Sequence, residues 1–424
     1  YFFSRLMPLI FGFIAAYCST LYLSKEEQGV FFLMLSFVSA QVIFEGGMYF
    51  QMQQKLATLV NIKDDLIEGY KNPKISALWF KSITFLILAS LIYLIFTFFL
   101  ARYMMSGLTF QVIFNLELFF FLISIRFVIS GIEAMLEGSG YRVYVTRIKI
   151  LYAFINGMAL CILLIFDYGL NSLLISYFIA IAFLLFFHAI NQGKTLIKLV
   201  INGIKNHNRF SWRDEMLSVQ IRLGVSWIFG YFTHQSMVPI LFYISGPVVA
   251  GQFGFLMSIV NAIKSLSSTF IAKESPLFGS YISSKNYYGL KLLLQNLLLR
   301  TLVLVTSLIM LSLIGLWVLS LLNPDIFSRL PSTMTIILIL ICIFFMQINL
   351  ILANFVRAHN KEPFMLIGII GGIITPLSIA LASYISTNDI AIGLAIFITW
   401  ISLGLIFPWI IAREYLNLLR TNID

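Results

Sequence analysis

Twelve long apolar stretches constrain this chain more tightly than any other feature of its sequence. They run over 6–23, 29–54, 78–100, 112–136, 146–166 and 172–191. A second series follows at 223–245, 251–274, 294–322, 331–356, 364–386 and 390–411. A hydrocarbon core of about 30 Å needs roughly 20 residues of helix at 1.5 Å per residue, and each stretch is long enough or nearly so. Lipid offers the backbone no hydrogen-bond partner, so stretches this long and apolar are expected as helices rather than strands. Composition leaves little chain for anything else: 60% of residues are hydrophobic and 11% charged, which excludes a sizeable soluble domain.

The gaps between stretches set the orientation. Of 28 lysines and arginines, 22 fall in, or within four residues of, one alternate set of gaps. Arg5, Lys55, Lys74, Arg142, Arg147, Lys194, Lys205, Arg222, Lys285 and Arg357 are among them. The opposite set holds Lys25, Arg102 and Arg329, and Arg126, Lys264 and Arg300 lie inside the apolar stretches. Cationic residues near span ends are retained on the cytoplasmic side, which predicts two cytoplasmic termini. The net charge of +10 is then a property of cytoplasmic loops, not the footprint of a nucleic-acid site. Cys18, Cys161 and Cys342 sit inside apolar stretches without metal-ligand spacing and read as small buried hydrophobes. The opening at Tyr1 is expected to leave out a short cytoplasmic leader, and the first stretch reads as a retained span rather than a cleaved signal.

Loop lengths narrow the function. The outer gaps are short (24–28, 101–111, 167–171, 245–250, 323–330 and 387–389), too small to carry the catalytic loop of a membrane glycosyltransferase or polymerase. No phosphate-binding loop, zinc motif or other cofactor signature is present. The reading is therefore a transporter rather than an enzyme, with no bound metal or cofactor. Among the longer inner gaps, 192–221 carries Lys194, Lys198 and Lys205 with apolar Ile197, Leu199 and Ile204 between them. Two readings stand for it, a surface amphipathic helix or a solvated basic linker.

An internal repeat divides the chain. Gly29, Phe31 and Ser36 near the start of the second stretch recur at the same spacing as Gly251, Phe253 and Ser258 near the start of the eighth, with one extra residue between Ser245 and Gly251 compared with Ser24 and Gly29. A second pairing sets 136–141 against 356–361. Each half holds six stretches, so the repeats share one orientation in the membrane, and two parallel bundles around a central cavity are expected. The expected domains are residues 1–200, a cytoplasmic linker at 201–221, and residues 222–424.

These features resemble the Wzx-type polysaccharide flippases of the superfamily that also holds the multidrug and toxic-compound extruders and the lipid II flippase. The resemblance is carried by the turn from Ser24 to Phe31, the Glu-Gly-Gly at 45–47, and the segment from Glu137 to Arg147. It implies an all-α polytopic protein of about twelve spans in the bacterial cytoplasmic membrane. The implied activity is alternating-access transfer of undecaprenyl-pyrophosphate-linked oligosaccharide units to the outer leaflet, for O-antigen, capsule or exopolysaccharide synthesis. Membrane lipids, and polysaccharide polymerase or chain-length machinery, are the implied partners. The alternative within the same fold is a cation-coupled exporter of small molecules.

Polar residues inside the stretches supply the candidate site. A charge at the bilayer centre costs roughly 2.5–3.5 kcal/mol on insertion scales, so it is expected to face a cavity or a partner. Arg126 shares one helical face with Ser130, Glu133 and Glu137, and Lys264 shares another with Asn261 and Ser268. Arg126 and Lys264 are the candidate ligands of a pyrophosphate, with Asn261, Arg300, Arg222 and Arg5 as further contacts. The structural alternative is a lock, Arg126 with Glu133 or Glu45 and Lys264 with Asn261. Glu45 and His234 are the candidates for coupling to an H+ or Na+ gradient, against a salt bridge and a hydrogen-bonded interior imidazole. Gly230 and Pro239 in the seventh stretch, and Gly371, Gly372 and Pro376 in the eleventh, are the expected bending points.

Overall fold

The computed structural model describes residues 2–59, 72–104, 110–322, 324–359, 364–386 and 388–421, and among these every regular element is helical. Ten helices are long and apolar enough to cross a membrane, and Ile10–Tyr22 is a shorter apolar one. The seventh stretch completes the set as two helices, Ser218–His234 and Met237–Ser245. The protein is thus an all-α, multi-span membrane protein. We number the spans 1 to 12 in the order of the stretches. Lys63, Lys71, Asn360 and Lys361, and with the last two the end of the second repeat pairing, lie outside the described residues.

Several helices outrun the hydrocarbon. Span 6 is one helix, Asn171–Lys205, of 35 residues, about 52 Å at 1.5 Å per residue. Lys194, Lys198 and Lys205 lie on this continuation, which is neither a separate surface helix nor a loose linker. Hydropathy reports where lipid ends, whereas helix continues until its hydrogen bonding is interrupted, here at Asn206. Beyond it the chain stays structured, with a 3₁₀ turn at His207–Arg209 and a π turn at Arg213–Leu217.

The chain forms two compact units. Met34–Tyr231 makes one, and Ser4–Leu33 with Phe232–Asp424 makes the other. Packing thus groups span 1 and the opening of span 2 with the C-terminal residues, whereas the sequence halves divide the chain near 201–221. The first unit is centred on Met48, Met52, Leu78, Trp79, Phe127 and Met135, with Phe210 and Met216 packed into the same core. The second is centred on Phe278, Leu294, Leu297, Ile351, Phe355 and Ala412. Lipid tails are as apolar as leucine, so helices associate there through close packing rather than the hydrophobic effect. Past the end of the sixth apolar stretch the packing is as close: a Cβ at Gly203 would overlap the Ser76 carbonyl oxygen.

Span 2 is broken where Glu-Gly-Gly stands. Helix Lys25–Ser39 is followed by the turn Gln41–Glu45, then by Gly46 and Gly47 at φ of 54° and 74°, then by helix Met48–Leu59. Glycine alone adopts this left-handed pair without a Cβ penalty. Span 7 is interrupted between His234 and Met237, outside both Gly230 and Pro239. Span 11 remains one helix, Phe364–Ile385, with Pro376 inside it, so the glycines and proline there do not end a helix.

The segment before span 7 is clasped to the first unit. Glu215 meets Lys55 at 2.7 Å and Lys74 at 2.9 Å, while Trp212 stacks on Phe85 with centroids 5.7 Å apart. Burial works against the charge of Glu215, but hydrogen bonds from the two lysines outweigh it and hold its carboxyl below the usual range. A depressed folded-state value stabilises above the unfolded value and ceases to do so as pH falls through it. Glu215→Gln is therefore expected to lower the unfolding temperature in detergent at about pH 7, by an amount that shrinks once the pH drops below the ordinary glutamate value of about 4.3 and vanishes only below the depressed folded-state value. A difference independent of pH would refute the clasp's electrostatic origin.

Candidate functional site

Arg126 is placed by span 4, helix Phe110–Gly138, seven residues before Glu133 on the same face. Its Nη2 donates to Glu133 Oε2 at 3.1 Å, and its guanidinium lies 4.8 Å from the centre of the Tyr152 ring in span 5. Glu133 is fully buried. His188 of span 6 brings Nε2 to 3.7 Å from Glu133 Oε1, and its Nδ1 lies 3.2 Å from the Tyr144 hydroxyl. One turn further along span 4, Glu137 accepts from Lys149 at 2.7 Å and from Gln53 at 3.2 Å. Charge on span 4 is thus answered by spans 2, 5 and 6, and Arg126 sits in a locked ion pair within the first unit. Its Nη1, Glu133 Oε1 and His188 Nε2 are buried without a hydrogen-bond partner.

Glu45 has a different task. Its Oε1 accepts from the amide of Tyr49 at 3.3 Å, within the first turn of helix Met48–Leu59. A helix restarted inside the membrane exposes amides that lipid cannot satisfy, and a carboxylate at a helix start both accepts a bond and suits the dipole. Glu45 therefore caps the break that Gly46 and Gly47 create. No cation is within ion-pair distance of Glu45 among the described residues.

In the second unit one interior cation, Lys264, has no such acid beside it among the described residues. Lys264 lies midway along span 8, helix Pro247–Ser283, with Asn261 one turn before it and Ser268 one turn after. No carboxylate lies within ion-pair distance of Lys264 among the described residues. Its electrostatic neighbour is His234, itself at the end of helix Ser218–His234 where span 7 breaks. The His234 ring meets Trp400 edge-on at 5.6 Å, and His234 Nδ1 is buried without a hydrogen-bond partner. A lysine beside an imidazole, with no acid within ion-pair distance among the described residues, is chemistry for holding an anion.

The remaining candidates lie elsewhere. Arg300 is exposed and pairs with Glu274 at 3.4 Å. Arg222 is exposed and donates from Nε to the Ser218 carbonyl at 3.3 Å. Arg5 lies in helix Phe2–Tyr22, its side chain outside the described residues. His188, Tyr144 and Tyr152 were not singled out from sequence. The only signal was one histidine in the apolar stretch of span 6, without a polar stripe around it.

By sequence, the chain matches no protein-family profile and no curated protein. By structure it is similar to solved membrane transporters. An inward-facing multidrug resistance MATE family transporter of the MOP superfamily superposes with a TM-score of 0.66 at 10% identity, covering 99% of this chain and 96% of that one. The MATE multidrug transporter DinF-BH superposes with a TM-score of 0.58 at 15% identity, covering 97% and 93%. The lipid II flippase MurJ, in an inward closed conformation, gives 0.58 at 15%, covering 97% and 86%. At these identities the likeness establishes a shared fold over essentially the whole chain.

The two interior cations should respond oppositely to neutralisation. Removing one partner of a buried pair strands the other, at about 3–5 kcal/mol. Arg126→Gln is expected to destabilise the detergent-solubilised protein by that order, and Lys264→Gln to leave its unfolding temperature unchanged or raised. Equal losses in both would show that Lys264 is also structurally paired.

Proposed function

We propose that this protein is a flippase that moves undecaprenyl-pyrophosphate-linked oligosaccharide units from the inner to the outer leaflet of the bacterial cytoplasmic membrane. The observation that carries this reading is Lys264, a mid-span cation with His234 beside it and no carboxylate partner among the described residues. A cation kept in the membrane without a protein counter-charge is costly, and a pyrophosphate supplies the missing charge each time substrate binds. The shared fold supports the reading, because one neighbour is itself named a lipid II flippase. Lys264 and His234 take the phosphates and Asn261 a sugar or phosphate oxygen, while Arg126 in the first unit stays paired with Glu133.

A second reading has its own support. Glu45 is a buried carboxylate without a cation partner among the described residues, the residue type a cation-coupled exporter of small molecules needs. Two neighbours are MATE multidrug transporters. In that reading Glu45 exchanges H+ or Na+ and the capping bond to Tyr49 breaks and forms with it.

Reconstitution separates the two. Labelled undecaprenyl-pyrophosphate oligosaccharide is expected to cross proteoliposome membranes with wild type and to stop with Lys264→Gln, while Glu45→Gln retains movement. Export of small organic cations, lost in Glu45→Gln and retained in Lys264→Gln, would establish the exporter instead.

A further inference from the structure

The repeat-related openings of spans 2 and 8 meet. Both lie in the second unit, the first as part of Ser4–Leu33 and the other as part of Phe232–Asp424. A capping box starts span 2: the Glu27 amide donates to Ser24 Oγ at 3.1 Å, and the Ser24 amide donates to Glu27 Oε2 at 2.9 Å. Span 8 starts with Pro247 in its first turn, after Gly246 at a φ of 90°. These starts set Gly29 against Pro247, where a Cβ on Gly29 would overlap the carbonyl oxygen. A Cβ on Gly251 would lie 3.0 Å from the Gly29 amide nitrogen, and one on Gly254 would overlap the Phe32 side chain. Gly29 and Gly251 are the two glycines that the internal repeat aligns, each two residues before a phenylalanine, Phe31 or Phe253.

Around this backbone contact the structure is dry on one side and polar on the other. Phe31, Phe32, Leu33, Phe253 and Leu256 are all buried next to the glycines along their helices. On the loop side, Arg329 donates to Gln28 Oε1 at 3.1 Å and Gln252 donates to the Ser328 carbonyl at 3.1 Å. Both bonds involve residues in or beside the short gaps that the charge distribution puts outside the cell.

We infer that this seam is the outer gate of the transport path, closed by bare backbone contact between repeat-related glycines and latched by Arg329 on Gln28. The inference rests on the transport reading for its purpose but not for its test. The absence of a side chain on Gly29 and on Gly251 lets the two helix starts close on each other at the backbone, so the seam has a tight closed state. The latch bonds are ones that water replaces at little net cost, so parting the seam is cheap. A closure that is both tight and cheap to open is what a two-state barrier requires.

The seam can be read directly by labelling. Ser258 lies one turn inward of Gly254 and donates to its carbonyl oxygen at 3.1 Å. In a background with Cys18, Cys161 and Cys342 replaced by alanine, Ser258→Cys is exposed to a membrane-impermeant maleimide from the outer side of oriented proteoliposomes. Gly29→Leu is expected to raise the labelling rate several-fold, and Gly12→Leu, where a Cβ meets nothing within 4 Å, to leave it unchanged. Unchanged labelling in a Gly29→Leu protein that elutes and melts as wild type would overturn the gate. Should Gly29→Leu not fold, Gln28→Cys with Arg329→Cys gives the converse arm. A cleavable bis-thiosulfonate bridge must suppress Ser258→Cys labelling, and reductant must restore it; labelling indifferent to the bridge overturns the gate. A gate that responds in either arm while no lipid-linked oligosaccharide crosses would leave the seam standing and the flippase reading fallen.

Discussion

Everything in this fold answers to one constraint: lipid satisfies neither a backbone amide nor a charge, so each one inside the membrane must be met by the protein or by something the protein binds. Regular helix satisfies most of the backbone. Where helix is interrupted, a specific group takes over, as Glu45 does for the Tyr49 amide after the Gly46–Gly47 break. Ser24 and Glu27 do the same reciprocally at the start of span 2, and Asn388 accepts from the Ile390 amide at the start of span 12. The charges divide by the same rule. Arg126, Glu133 and His188 answer one another inside the first unit, whereas Lys264 in the second has His234 for a neighbour and, among the described residues, no acid within ion-pair distance. The proposed function follows from that asymmetry, because an unanswered cation is the place where an anionic cargo completes the accounting.

Glycine carries out two distinct tasks here. At 46 and 47 it supplies a left-handed backbone that breaks a span in mid-membrane and gives Glu45 its capping position. At 29, 203 and 251 it supplies nothing but absence, letting one helix lie on the backbone of another. The first creates a polar irregularity that must be covered; the second makes a dry contact that needs no covering. Gly371 and Gly372, beside Pro376 in span 11, do neither conspicuously, and the helix runs through all three.

The spans were legible because hydropathy and length are decided residue by residue, and each of the twelve stretches is mainly helical where described, with breaks in spans 2 and 7. The broken geometry of span 2 was half legible: Glu-Gly-Gly stood out, but as a motif and not as a left-handed turn with its own cap. The continuation of span 6 through Lys205 was not legible, since leaving the lipid changes composition without ending the helix. The pairing of Arg126 with Glu133 could be listed as one alternative from their spacing, yet His188 and Tyr152 come from other spans, and no local pattern announces a partner brought by packing. Gly29 and Gly251 aligned in sequence, and the structure brings these two residues into contact.

The account turns on whether Lys264 receives a phosphate. Native mass spectrometry of the purified protein with undecaprenyl-pyrophosphate oligosaccharide, set against neutral undecaprenol, tests this without requiring transport. The account predicts a retained pyrophosphate adduct with wild type, its loss in Lys264→Gln, and its partial return in Lys264→Arg. Adducts of equal abundance in wild type and Lys264→Gln, or equal retention of undecaprenol, would contradict it.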